Sequence, residues 1–133
     1  ELFPLLRANG GGAIANIASQ AALVSLPEQA AYGTSKGAVA ALTRSLAIDW
    51  ARDEVRVNAI CPGFTITPMS EPAMTPELIS VVERRVPLGR LFEAREMANV
   101  LVFLVSPLAS AMTGVVLPVD GGWTAGEAEL PDW

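Results

Sequence analysis

Apolar and polar positions divide this chain into short elements that alternate in type. Residues 13–19, Ala-Ile-Ala-Asn-Ile-Ala-Ser, are apolar nearly throughout and follow Asn9-Gly10-Gly11-Gly12. They read as a short buried strand led in by a turn and ending at Ser19. From residue 38 to 52, Val39, Leu42, Leu46 and Trp50 recur near a 3.6-residue spacing and predict a helix. Gly37, Ala38, Ala41 and Ser45 give that helix a face of small residues, open to close approach by another helix. Residues 55–60, Val-Arg-Val-Asn-Ala-Ile, read as a second strand that breaks at Cys61-Pro62-Gly63. Strand, helix, strand and turn in that order form a βαβ unit, which implies a parallel sheet with right-handed crossovers. The fold class is α/β.

The later segments fit the same plan. Thr75-Pro76-Glu77 starts a helix that runs to about Val86, with a capping hydroxyl, a proline in the first turn and an acid at the positive end of the dipole. Met97, Val100, Leu101 and Leu104 mark another helix face, ended by Pro107. Leu117-Pro118-Val119 closes the sheet, and its proline suits an edge or a strand end. Residues 64–75, with their prolines and methionines, predict a mobile loop that covers a substrate.

Composition narrows the function. The 133 residues allow one domain. A net charge of −5 argues against nucleic acid or an anionic membrane surface as a partner. The apolar run 100–105 is far too short to span a bilayer, so no membrane partner is expected. With no histidine and one cysteine, Cys61, a Ser-His-Asp or Cys-His centre is excluded and a metal site is not expected. Cys61 reads as a small buried thiol beside the Pro-Gly turn. The chain is 51% hydrophobic and 17% charged. That balance suits a largely interior chain, marginally stable or prone to aggregate on its own.

The chemistry concentrates in Tyr32-Gly33-Thr34-Ser35-Lys36, which holds the chain's one tyrosine and one lysine. Side chains at i and i+4 leave the same face of a helix. An ammonium beside a phenol stabilises the phenolate and readies it to pass a proton near neutral pH. An isolated Tyr-x-x-x-Lys more often means a partly buried aromatic beside a solvated lysine. Here Ser19 lies thirteen positions upstream, at the carboxyl end of a parallel strand, where open α/β sheets place their ligands. Its hydroxyl could donate to the carbonyl oxygen that Tyr32 protonates. On its own, such a serine more often ends a strand or caps a helix.

Ser19, Tyr32 and Lys36, followed by Asn58-Ala59-Ile60-Cys61-Pro62-Gly63-Phe64-Thr65-Ile66-Thr67, resemble the short-chain dehydrogenase/reductase family. Residues 112–122 resemble the last strand and turn of that family, and Pro87-Leu88-Gly89-Arg90 its link between two C-terminal helices. The resemblance runs from about Gly10 to Ala125 and implies part of a Rossmann-like doubly wound sheet, about three strands with flanking helices. It implies that Tyr32 is the general acid/base, that Lys36 supports the phenolate and bonds the nicotinamide ribose, and that Ser19 holds the carbonyl. Pro62 and Gly63 would bend the backbone under the nicotinamide, with the main chain of Thr65 and the hydroxyl of Thr67 near its carboxamide. Ser19, Gln20 and Phe64 would face the substrate. The implied reaction is hydride transfer between NAD or NADP and an alcohol or ketone, in a cytoplasmic homodimer or homotetramer whose Tyr32 helix packs against its counterpart. Trp123 and Trp133 could also pack against a neighbouring subunit. Two positions depart from the family pattern: Ala22 in place of a glycine, and Arg90-Leu91-Phe92-Glu93-Ala94 in place of Arg-x-Gly-x-Pro. Both are expected to alter loops at the substrate mouth.

No glycine-rich turn follows a strand here to seat a pyrophosphate on a helix N-terminus, because Asn9-Gly10-Gly11-Gly12 precedes its strand. The residue that separates NAD from NADP and the asparagine usually grouped with Ser-Tyr-Lys have no counterpart, and residues 1–7 look like the tail of the helix that carries that asparagine. The expectation is a C-terminal portion of a conventional member, inactive alone, with the edge of its first strand exposed. Two other readings stay open. One is a non-catalytic half-domain that associates with a separate N-terminal half or a full-length relative. The other is a Ser-Lys hydrolase, which leaves Tyr32 and Thr67 unexplained.

Overall fold

The computed structural model describes residues 2–126. Helix α1 (Leu2–Ala8) leads into strand β1 (Gly12–Ile17), helix α2 (Ala30–Trp50) and strand β2 (Val55–Pro62). After them come β3 (Thr65–Ile66), α3 (Pro76–Arg85), β4 (Phe92–Glu93), α4 (Ala94–Val105) and β5 (Val116–Val119). The main sheet has the order β1-β2-β5 and is parallel throughout, as the βαβ reading requires. The fold is α/β with helices on both faces, in the Rossmann-like manner. Trp133 lies outside the described residues.

Strand β2 organises the core because both of its faces are covered. Val55 and Val57 point to one side and pack with Ala47 of α2, partly buried Trp50 and Phe3 of α1. Phe3 stacks on Trp50 with ring centroids 4.7 Å apart, which fastens α1 to the end of α2. Ile60 points to the other side and packs with Val82 and Val86 near α3, Met97 and Leu104 of α4, Phe92 and Trp123. On that side Arg56 serves as a cap. Its guanidinium donates to the carbonyls of Leu104 at 2.8 Å and Ser106 at 3.1 Å, satisfying acceptors at the end of α4.

Three expectations shift. The ladder of β1 stops at Ile17, two residues short of Ser19. Ala18 still donates to the Ile60 carbonyl at 2.8 Å, and Ser19 then turns away as the cap of a 3₁₀ turn at Gln20–Ala22. Strand β2 continues through Cys61 and Pro62, which are in register with Pro118 and Val119 of β5, so the break falls after Pro62. The loop after β2 is anchored as a parallel bridge, Thr65–Ile66 against Phe92–Glu93, which apolar periodicity did not signal. The helix at Pro76–Arg85 begins as expected, with the Thr75 hydroxyl accepting from the Leu78 amide at 3.2 Å. Pro118 lies on an edge strand, and β1 bonds to β2 alone among the described residues. Cys61 is buried.

Candidate active site

The site forms where β1 and β2 end and α2 begins. Ser19 is extended, and its Oγ accepts from the Ala21 amide at 3.2 Å. This is the capping role open to any serine at such a position, and it also fixes where the hydroxyl stands. The turn it caps lies against the first turn of α2. Gly33 permits that approach, since a Cβ there would come within 3.2 Å of the Ala21 carbonyl. Tyr32 is 44% exposed at the start of α2. The Lys36 Nζ lies 5.7 Å from the Tyr32 ring centroid and donates to the Ile17 carbonyl at 3.1 Å. The ammonium is therefore tethered to the tip of β1 and held beside the phenol. Two turns further along α2, the Thr43 hydroxyl accepts from Asn16 Nδ2 at 3.0 Å and donates to the Val39 carbonyl at 2.8 Å, pinning α2 to β1.

The opposite wall comes from β2 and the loop beyond it. Pro62, Gly63, Phe64, Thr65 and Thr67 share with Ser19, Gln20, Tyr32 and Lys36 a single cavity of about 860 Å³. All nine residues singled out from the sequence therefore meet at one place. The loop is set by Ser70, which sequence reasoning missed: its Oγ donates to the Thr65 carbonyl at 2.7 Å and lies 3.1 Å from the Thr67 hydroxyl. The spacing Thr67-x-x-Ser70, a turn-forming pattern of hydroxyls, was the available signal. Asp120 was missed as well. Buried after β5, its carboxylate accepts from the amides of Gly122 and Thr124, each at 3.0 Å, and from the Thr124 hydroxyl at 2.6 Å. Burial is the main influence on the nearby Cys61 thiol and raises its pKa.

The family departures fall differently from expectation. Ala22 and Phe92 do not line the cavity, whereas Ala94 does. Phe92 is instead part of the core, 4% exposed, and fills the space over Gly121, where a Cβ would collide with its ring.

The chain matches a family model described as enoyl-(acyl carrier protein) reductase over residues 1–124. It belongs to the short-chain dehydrogenase/reductase family. Over 121 residues it is 43% identical to a tropinone reductase homologue of Arabidopsis thaliana, covering 91% of this chain and 44% of that protein. It is similar in structure to a 7α-hydroxysteroid dehydrogenase complexed with NADH and 7-oxo glycochenodeoxycholic acid. That match has a TM-score of 0.87 and 36% identity, and covers 97% of this chain and 49% of the other. A gluconate 5-dehydrogenase from Burkholderia cenocepacia, in complex with NADP and tartrate, matches with a TM-score of 0.88 and 31% identity. That match covers 92% of this chain and 49% of the other. The chain thus spans about half the length of these relatives.

The residues present fit the nicotinamide end of such a family cofactor. Lys36 and Tyr32 can bond a ribose, and the backbone beyond Pro62 offers polar groups to a carboxamide. They do not fit its pyrophosphate. Gly10 and Gly11, with φ of 79° and 119°, turn the chain from α1 into β1, whereas phosphate binding calls for a turn from a strand into a helix.

Proposed function

We propose that this chain supplies the Ser-Tyr-Lys centre of an NAD(P)-dependent oxidoreductase that interconverts an alcohol and a ketone. The observation that carries the reading is the convergence of Ser19, Tyr32 and Lys36 on one cavity whose far wall is Pro62, Gly63, Thr65 and Thr67. In the reductive direction, the hydride to the carbonyl carbon would come from NADH or NADPH held by these residues. Tyr32 gives its phenolic proton to the carbonyl oxygen as that oxygen gains charge. Ser19 donates a hydrogen bond to the same oxygen, leaving its own lone pairs for the Ala21 amide. Lys36, tethered to Ile17, places a positive charge where the phenolate forms and can bond the ribose with a second proton. Oxidation runs these transfers backwards. Thr65 and Thr67 orient the carboxamide, and Gln20 and Phe64 face the substrate.

The relatives' names support an oxidoreductase, and their greater length supports an active enzyme that contains more than these 133 residues. Leu42 and Ile48, 53% and 80% exposed on α2, give a homo-oligomer a contact surface. The open edge of β1 favours a second reading, a half-domain that pairs with a separate chain. Titration with NADH and NADPH divides the two: binding that appears only when a separate partner chain is added favours the half-domain, whereas binding by one longer chain that contains these residues favours the oxidoreductase. The test of the centre is Tyr32→Phe in an active preparation containing this chain. Turnover falls by about 10²-fold or more while cofactor affinity stays within about twofold. Undiminished turnover rejects proton transfer by Tyr32.

A further inference from the structure

One stretch of chain, residues 64–86, leaves the main sheet after β2 and returns before β4. It gives Phe64, Thr67, Met74 and Leu78 to the cavity wall, while Met69 in its middle is 88% exposed. Among the described residues, the hydrogen bonds of residues 67–83 all close within residues 65–86. The middle of the stretch therefore has no polar tether to the rest of the fold. Its place over the cavity is set by packing and by its two ends.

Both ends are seated on the same turn, Asp120–Thr124. At the start, the Phe64 ring stands edge-on to the Trp123 ring, with centroids 4.9 Å apart and an interplanar angle of 66°. At the finish, the Arg85 guanidinium lies over the Trp123 ring, 4.3 Å from its centroid. Val86 joins Trp123 in one buried cluster, and the Leu88 amide donates to the Gly121 carbonyl at 3.2 Å. Trp123 itself is buried and does not line the cavity. An edge-to-face ring pair and a desolvated cation over an indole each add attraction beyond the area they bury.

We propose that Trp123 is a positioning residue: it clasps the two ends of residues 64–86 and so fixes the wall that a substrate meets, without touching the substrate itself. The effect on substrate rests on the oxidoreductase reading; the clasp does not.

Hydrogen exchange of the 133-residue chain, followed by mass spectrometry, reads the clasp without turnover. Trp123→Leu removes both ring contacts and is expected to speed exchange across residues 67–83 about tenfold, with β2 within about twofold of native. Trp123→Phe keeps a ring between Phe64 and Arg85 and is expected to stay within about threefold of native. In an active preparation containing this chain, Trp123→Leu is expected to raise KM about fivefold with kcat within about twofold, because the reacting groups stand on the other wall. Trp123→Phe restores most of that KM. Unchanged exchange in residues 67–83 overturns the clasp, and so does equal acceleration in β2, which marks general destabilisation. An unchanged KM, or a fall in kcat alone, overturns the positioning role. Should Trp123→Leu not fold, Arg85→Met decides, since Arg85 is exposed and the change removes one contact of the clasp. It is expected to speed exchange in α3 about threefold, and native rates there overturn the clasp. Failure in exchange leaves the role of Tyr32 standing, and failure of Tyr32→Phe leaves the clasp standing.

Discussion

Gly63 lies against Asp120 so closely that a Cβ on the glycine would meet the Asp120 Cα at 2.7 Å. The floor of the cavity and the turn after β5 are thus locked together by the absence of a side chain. Asp120 in turn spends its carboxylate on Gly122 and Thr124, which stiffens the turn that Gly63 meets. Gly63→Ala forces the two segments apart and is expected to cost about 1–3 kcal/mol. A urea unfolding midpoint that does not move would show that the contact relaxes freely.

Lys36 combines a structural tether with its proposed chemical part, and the two separate on substitution. The bond to Ile17 is exposed, so Lys36→Met is expected to lower stability by less than about 1 kcal/mol. In a preparation that turns over, the same change is expected to lower kcat by about 10²-fold or more. Thermal unfolding and steady-state kinetics on one sample test both, and full activity with methionine rejects the assignment.

Thr43 is fully buried and joins β1 to α2 through Asn16. Thr43→Val keeps the shape and deletes the hydroxyl, leaving Asn16 Nδ2 without its acceptor, at a cost of about 1–3 kcal/mol. The double variant Thr43→Val, Asn16→Ala is expected to lose less than the sum of the single changes, by about 0.5 kcal/mol or more. Strict additivity would show that the bond contributes nothing.

Glu96 gives the fold an acid-side dependence. Hydrogen bonds from the Arg90 guanidinium, at 2.7 and 3.0 Å, and from the Glu93 amide hold its carboxyl at about 2, below the ordinary 4.5. A folded-state value below the unfolded one means that the stabilisation is complete above pH 4.5 and fades as pH falls towards 2. Glu96→Gln should flatten that part of the stability profile. Denaturant melts of both chains between pH 2 and 5 check it, and parallel profiles would remove Glu96 as the cause.

The order of the main elements and the residues that meet at the candidate cavity were legible in the sequence because both rest on local spacing. Tyr32 and Lys36 lie one helical turn apart, and the apolar runs at β1 and β2 need no partner to be recognised. Arg56 was harder, since nothing in Val-Arg-Val says that a strand residue will cap a helix 48 positions later. Phe92 misled for a related reason: beside Arg90 and Glu93 it resembles a loop residue, and only Gly121 beneath it makes a place for the ring.

By itself, the sequence determined which chemistry was on offer: a phenol, an ammonium and an alcohol, with no imidazole to compete. Tertiary structure decided where each group stands, because those positions depend on contacts between residues far apart in the chain. Lys36 is aimed by a carbonyl 19 positions away, and Gly63 is set by Asp120, which follows the neighbouring strand β5 at the same end of the sheet. Whether Trp123 would face outward or the core was likewise open until the chain closed around it, for burial is a property of the assembled fold.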